Sequence, residues 1–256
     1  MEIMDEVTKE YVSKLISEGK REDGRGFDDY RPIKVETGII PNAEGSAMVE
    51  IGSTKVVVGI KMDAGTPFAD RPEEGVMSTN AELIPMAHPT FESGPPRAPA
   101  IELARVIDRG IRGAEIFDGK KLFIAPDKVW MIFFDVWALD QCGNLFDAGA
   151  LGAMAALKQV RIPKFEDGRV IYGEYSGKLE LKDDVVMTTF GKLKGKSFVD
   201  PTYDEEVSMT GRFNISTTKD RVCSMQKAGT DGYKKEEVLE LIDRAFEKGK
   251  ELRSHL

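Results

Sequence analysis

The sequence predicts an α/β fold (in class terms α+β) in which strands form mixed sheets and helices pack on them. Three observations carry this. Strand-like runs are followed by helical periodicities in both halves of the chain, the arrangement that layers helices on sheets. A stretch of the first half, "IGSTKVVVGIKMDAG" (Ile51 to Gly65), aligns without gaps with "ISTTKDRVCSMQKAG" (Ile215 to Gly229) of the second. Each reads as strand, tight turn, strand and glycine stop, which suggests two related βαβ-type halves sharing one core. Finally, 41% of the 256 residues are hydrophobic, enough for a full core and too many for a disordered chain. We read one domain over residues 1–256, with halves at about 30–160 and 161–256 behind an N-terminal helix.

The elements follow in order. Ile3 to Ile16 reads as a helix, with Ile3, Val7, Tyr11 and Leu15 recurring every four residues and Gly19 at its stop. "REDGRGFDDYRPI" is a polar loop with two arginine-containing turns. Ile33 to Asp63 alternates strand and turn, Ala64 to Val76 is a loop, and "AELIPMA" reads as a strand. The proline-rich "ESGPPRAP" breaks before a helix from about Ala100 to Glu115. A hairpin of "KLFIAP" and "WMIFFDVWALD" leads to a helix over Ala148 to Gln159. The strand-rich second half closes on "KKEEVLELIDRAFEKGKELR", whose Val238, Leu241, Ile242, Ala245 and Phe246 form one apolar stripe.

Composition excludes several functions. The acidic, amphipathic start lacks the pattern of a signal peptide. No apolar run reaches the roughly 18 residues that span a bilayer, so the expected protein is soluble and cytoplasmic, with no membrane partner. Cys142 and Cys223 lack CxxC spacing and read as ordinary buried thiols. His88 and His255 are the only histidines, and neither sits in a metal-ligand pattern or suits a Ser-His-Asp hydrolase. No metal and no cofactor is implied. The formal charge of −8 argues against broad nucleic-acid binding and leaves room for a local basic patch.

"IELARVIDRGIRGAE" supplies a candidate patch. Ala100, Leu103, Ala104, Ile107, Ile111 and Ala114 group on one helix face, and Arg105, Arg109 and Arg112 group on the other. Arginines in such a stripe can grip phosphate oxygens bidentately and stack on bases, which suits RNA. Glu102 and Asp108 offer a second reading, a solvated face of ion pairs with Arg105 and Arg112. Arg109 has no acid at i±3 or i±4 and is the least explained of the three. Lys192, Lys194 and Lys196 alternate in "GKLKGKSF" and read as an exposed face or a minor RNA patch. Arg71 lies in a solvated loop.

"DQCGNLFDAGALGAM" (Asp140 to Met154) is a strand end, a glycine turn and a helix start, a frequent phosphate site because free N–H groups and the helix dipole favour an anion there. The turn nevertheless holds no Lys, Arg, Ser or Thr.

Together "REDGRGFDDYRPI", "GSAMVEIGSTKVVVGIK", "IELARVIDRGIR", "DVWALDQCGNLFDAG" and "FVDPTYDEEVSM" occur in the order and spacing of the RNase PH family. Over nearly the whole chain the sequence resembles that family. "DGR" with "RPI", "ELARVIDR" and "DPTYDEE" most resemble the larger, non-catalytic RNase PH-like subunit of the archaeal exosome.

The resemblance implies an RNase PH-like fold and an alternating six-membered ring with a catalytic RNase PH-like exosome subunit, three of each. It also implies RNA-binding cap subunits on one face, and single-stranded RNA cut from its 3′ end by phosphate. Active relatives hold that phosphate with a Gly-Ser/Thr-Arg turn. Here Leu145 and Phe146 stand at the hydroxyl and Arg positions, and Asp147 is expected to cap the helix with its carboxylate. The RNA-gripping arginine pair is replaced by Ala98 and Pro99, with only Arg97 nearby. Asp200 and Glu206 keep the spacing of the family's acid and metal-ligand pair and are expected to be vestigial, because phosphoryl transfer depends mainly on positioning and charge stabilisation. Arg105 and Arg109, four apart, match the arginines that reach a neighbour's active site; Arg112 remains a candidate from the helix pattern alone. The expected role is thus a non-catalytic ring subunit that binds RNA. The alternative is an active phosphorolytic exoribonuclease using Asp200 and Glu206. A free-standing RNA-binding module fits less well with the acidic charge.

Overall fold

The computed structural model describes residues 2–256, with side chains from residue 6 onward. In chain order the elements are α1 (Glu2–Ser17), β1 (Ile33–Thr37), β2 (Gly45–Ile51), β3 (Thr54–Gly65), β4 (Val76–Leu83), α2 (Ala98–Ala114), β5 (Phe123–Ala125), β6 (Lys128–Asp140) and α3 (Leu145–Leu157). There follow β7 (Arg161–Glu166), β8 (Arg169–Lys178), β9 (Val186–Leu193), β10 (Lys196–Val199), α4 (Tyr203–Ser208), β11 (Gly211–Thr217), β12 (Val222–Gly229) and α5 (Lys235–Arg253).

The first sheet has the order β1-β2-β3-β6-β4, with β5 also on β6; the second has the order β10-β9-β11-β12. β4 runs parallel to β6, joined through α2, and the second sheet is antiparallel throughout. Burial alternates along β3, so Val56, Val58, Ile60 and Met62 face the core, as a strand's two-residue period requires. α3 meets β2 and β3 on one side and β9 on the other, and α2 bridges β4 and β12. A helix layer is thereby enclosed between two sheets, with α5 on the outer face of the second sheet. Every residue of α3 is buried. Its close packing needs small residues: a Cβ on Gly149 would stand 2.7 Å from Ile107 Cδ1. α2 is similarly close to the second sheet, since a Cβ on Gly113 would stand 2.4 Å from the Cys223 carbonyl oxygen.

Several expectations are corrected. In α1 the buried residues are Val12 and Ile16, packed with Leu193 and Phe198, whereas Val7 is 59% and Tyr11 50% exposed. The apolar set that docks is rotated one residue, about 100°, around the helix. Ile3's side chain lies outside the described residues. The fourth strand begins at Val76, the last residue of the expected loop and five residues ahead of "AELIPMA", and ends at Leu83; Pro85, which lacks an N–H, keeps "IPMA" out of the ladder. α3 begins at Leu145, three residues ahead of Ala148. The gapless repeat also shifts. The β2–β3 hairpin turns at Gly52 and Ser53, and the β11–β12 hairpin turns later, over residues 218–221. The two hairpins share form without sharing that register.

The three alternating lysines separate. Lys192 is buried and pairs with Glu237 at 2.7 Å, Lys194 sits in a left-handed turn (φ 51°), and Lys196 donates to Ser17 O. Cys142 and Cys223 are free thiols, each half-buried rather than buried. Among the described residues no helix is long and apolar enough to cross a membrane.

Candidate functional site

β6 delivers the chain into the turn before α3. Gly143 takes φ 98° and Asn144 the left-handed φ 60°, ψ 44°, conformations that Gly and Asn tolerate best. A Cβ on Gly143 would lie 2.3 Å from Pro201 O, so the turn is pressed against the segment entering α4. Asn144, not Asp147, caps α3: its side-chain oxygen accepts from Asp147 N–H. The expected cap fails because the helix starts before Asp147 and carries its carboxylate inward. There it accepts from Thr189 Oγ1 (2.6 Å) and N (3.1 Å), Tyr30 OH (2.7 Å) and Asn144 Nδ2 (2.9 Å). Burial pushes the Asp147 carboxyl up to about 6 against those four donors.

A different carboxylate lies at the helix entrance. Glu206 Oε1 accepts the Asn144 N–H at 2.8 Å, and its Oε2 accepts from Gln141 Nε2 at 3.2 Å. An acid 62 positions away thus occupies an N–H group where an anion would bind. Glu206 reaches a cavity of about 150 Å³ also lined by Leu83, Phe91, Leu145, Phe146 and Arg212. Protein packs densely around the rest of it, and that burial pushes its carboxyl up to about 7, although Asn144 N–H, Arg212 and Arg31 pull the other way. Leu145 and Phe146 are buried. Two cations flank the turn: Arg31 donates to the Cys142 and Gly143 carbonyls at 2.8 and 3.1 Å, and Arg212 from β11 places its guanidinium carbon 4.1 Å from the Phe146 ring centroid. Arg212 also pairs with Glu102, so two carboxyl groups and one guanidinium line the cavity.

Asp200 is fully buried in a cage of donors. Arg31 gives it Nε, Nη2 and backbone N–H at 2.7–2.9 Å, and Arg25 Nη1 and Asn144 Nδ2 each add a bond of 2.8 Å. Burial pushes its carboxyl up, and the Arg31 bonds and charge, with Asn144, more than reverse this and hold it below the ordinary aspartate range. Arg21 likewise forks onto Glu205 at 2.8 and 2.6 Å. Among the described residues no group of acids, His or Cys could hold a metal. Sequence reading placed these arginines on a polar loop. Their partners, from residues 199–205, are what draw them inside.

On α2 the arginines differ. Arg105, Arg109 and Arg112 are all exposed. Arg112 is held by Asp108 at 3.0 Å and by Met77 O. Arg109 makes one long bond, 3.3 Å, to Gln226 Oε1. The expected Glu102–Arg105 pair does not form, because Glu102 is taken by Arg212 and Gln226. Arg97, ahead of α2, is exposed and pairs with Glu92.

Two profiles of the RNase PH 3′ exoribonuclease family match, domain 1 over residues 29–163 and domain 2 over residues 183–248. An exosome complex component Rrp42 from Pyrococcus furiosus is 46% identical over 98% of this chain and 93% of its own. One from Methanocella arvoryzae is 46% identical over 100% and 97%. A chain of an Archaeoglobus fulgidus exosome with RNA bound to the active site superimposes with a TM-score of 0.91, at 42% identity over 98% of both chains. A chain of an archaeal exosome core gives 0.87 at 39% identity, over 98% of this chain and 96% of that one.

Proposed function

The chain belongs to the RNase PH family of 3′ exoribonucleases, and from that premise we propose that it is the non-catalytic subunit of an exosome ring that degrades RNA. The relatives at 46% identity are named exosome components, and the 42% identical chain comes from an exosome with RNA bound. In this reading three copies alternate with three of a catalytic RNase PH-like subunit, RNA-binding cap subunits sit on one face, and the complex is cytoplasmic. The observation that carries the non-catalytic assignment is the turn before α3: its own residues supply no cation, Phe146 falls at the position that the resemblance gives to an Arg, the neighbouring Arg31 is committed to the Cys142 and Gly143 carbonyls and to Asp200, and Glu206 already takes the Asn144 N–H. A second anion there competes with a carboxyl group for the same N–H and, whenever Glu206 is ionised, meets its charge at close range.

The subunit's contribution is an RNA-binding surface. Arg105 and Arg109 project from α2 with little or no internal compensation, and Arg112, paired with Asp108, contributes less. Arg109→Glu is expected to weaken single-stranded RNA binding by the assembled ring about tenfold and to flatten its salt dependence, as loss of a phosphate contact does. Ring assembly, read by size, stays intact; unchanged RNA affinity in that ring counts against the arginine face.

One observation favours the alternative of an active enzyme: a carboxyl at about 7 beside a cavity suits a general acid. The discriminating experiment is phosphate-dependent release of nucleoside diphosphates from single-stranded RNA. The chain alone is expected to be silent, and its mixture with a catalytic RNase PH-like partner to outpace the partner alone. Release by the chain alone overturns the reading.

A further inference from the structure

On an α-helix an acid three residues before an arginine pairs with it, and Glu102 stands so before Arg105. Asp108, which also accepts from Thr79 Oγ1 at 3.2 Å, does pair along α2, forking onto Arg112 at i,i+4. Glu102 does otherwise. Its Oε1 accepts from Arg212 Nη2 and from Gln226 Nε2 (2.9 Å), and Gln226 Oε1 in turn holds Arg109 Nη1.

The charge that restrains Glu102 is Arg212, beside the neutral Gln226 amide, and what restrains Arg212 is the turn before α3 together with Asn214. Its guanidinium lies over the Phe146 ring, and its Nε donates to Asn214 Oδ1 at 3.1 Å. Asn214 is buried and donates to Thr189 Oγ1 (2.8 Å), which donates to Asp147 Oδ1 (2.6 Å). Only 15% of the Arg212 side chain is exposed. A hydrogen-bonded path therefore runs from the buried acid of α3 to the exposed arginine of α2. A flat aromatic face suits a guanidinium, whereas a cation at position 146 would repel it.

We propose that the closed turn sets the charge of the RNA-facing helix: Phe146 seats Arg212, and Arg212 holds Glu102 away from Arg105. Arg105 and Arg109 thereby remain free for RNA phosphate, with Gln226 steadying Arg109. Arg212, Glu102 and Gln226 are positioning residues, and the inference rests on the RNA-binding reading above.

The test uses the ring assembled with its catalytic partner and a fluorescently labelled oligoadenylate, titrated over a range of salt. Arg212→Leu releases Glu102 onto Arg105. Affinity is expected to fall about three- to tenfold, and the slope of log affinity against log salt to shrink by about 0.7, one single-strand phosphate contact. Adding Glu102→Gln restores both, and it raises affinity more in the Arg212→Leu background than in the native one, a coupling that a merely structural role does not produce. Should Arg212→Leu fail to assemble, Phe146→Leu removes the ring beneath the guanidinium and gives the same loss and the same rescue. An unchanged salt slope in an assembled variant, or an equal gain from Glu102→Gln in both backgrounds, overturns the proposal. If Arg105→Glu and Arg109→Glu leave affinity unchanged, the RNA face itself is wrong and the proposal falls with it. If they weaken binding while Arg212→Leu does not, the proposal alone fails.

Discussion

Asp200→Asn is expected to destabilise the chain by about 3–5 kcal/mol, the usual cost of removing one partner from a buried ion pair. The substitution keeps size and shape, and Asn accepts the left-handed backbone at this position as readily as Asp (φ 48°). What is lost is charge. Arg31, itself buried, loses the counter-ion that meets its side chain and its backbone N–H, and Arg25 loses a partner at 2.8 Å. For a chain of this size the melting temperature falls on the order of 10 °C. The pH dependence has a definite sign. The folded carboxyl is held below its ordinary 3.8, so its stabilisation is present above that value and is lost as pH falls through the lower folded one. Thermal melting of native and variant chains measures the loss. Phosphorolysis per assembled ring, assayed below both melts, separates the two readings of Asp200: activity that follows the amount of ring keeps it structural, and a disproportionate fall assigns it to the chemistry.

Glu206→Gln has the opposite expected sign. Its carboxyl is raised from 4.5 to about 7 by burial, so the folded state binds the proton more tightly than the unfolded one. Its ionisation therefore destabilises the fold progressively as pH rises from 4.5 to about 7 and fully above that. The size of the shift corresponds to about 2–3 kcal/mol at neutral pH. A neutral amide escapes that cost. Its oxygen can keep the Asn144 N–H, and its NH₂ can serve Gln141 Oε1, a buried acceptor without a partner, once the Gln141 amide turns over. The variant is expected to melt higher than the native chain at neutral pH and to lose much of the gain near pH 4.5, the ordinary value of the acid. Asp147, raised from 3.8 to about 6, adds a dependence of the same sign over a somewhat narrower and lower pH span in both proteins. An unchanged pH profile means that Glu206 does not titrate in this range, and loss of ring phosphorolysis in a well-folded variant makes it the acid of the alternative reading.

Legibility in the sequence followed the range of the interaction. The helices α2 and α5 and the strand β3 were readable because local period alone decides which of their residues face inward. α1 was readable as a helix, while its docking face was not: Val7 and Tyr11 repeat at the same four-residue spacing as Val12 and Ile16, and the position of Leu193 and Phe198 chooses between the sets. Leu145 and Phe146 revealed a turn without a cation. They could not reveal that Glu206 takes the Asn144 N–H, because nothing local links residues 62 apart. The same limit hid the loss of the Glu102–Arg105 pair, which spacing favours and the long-range demand of Arg212 overrides. "REDGRGFDDYRPI" read as a polar loop, and arginines are mostly exposed; a carboxylate awaiting Arg21 and Arg31 far along the chain reverses that rule.

That distance has a consequence in time. Arg21 and Glu205 are 184 positions apart, and a ribosome adding ~5–20 residues per second needs about 10–40 s to pass from one codon to the other. Throughout that interval Arg21 and Arg31 lack the acids that receive them in the fold, Glu205 and Asp200, and must stay hydrated. α3, emerging midway, has only one of the two sheets that enclose it. The first half therefore cannot complete its fold until residue 205 has been made, and a transcript truncated ahead of β9 yields a product with cationic side chains and an apolar helix both left in water.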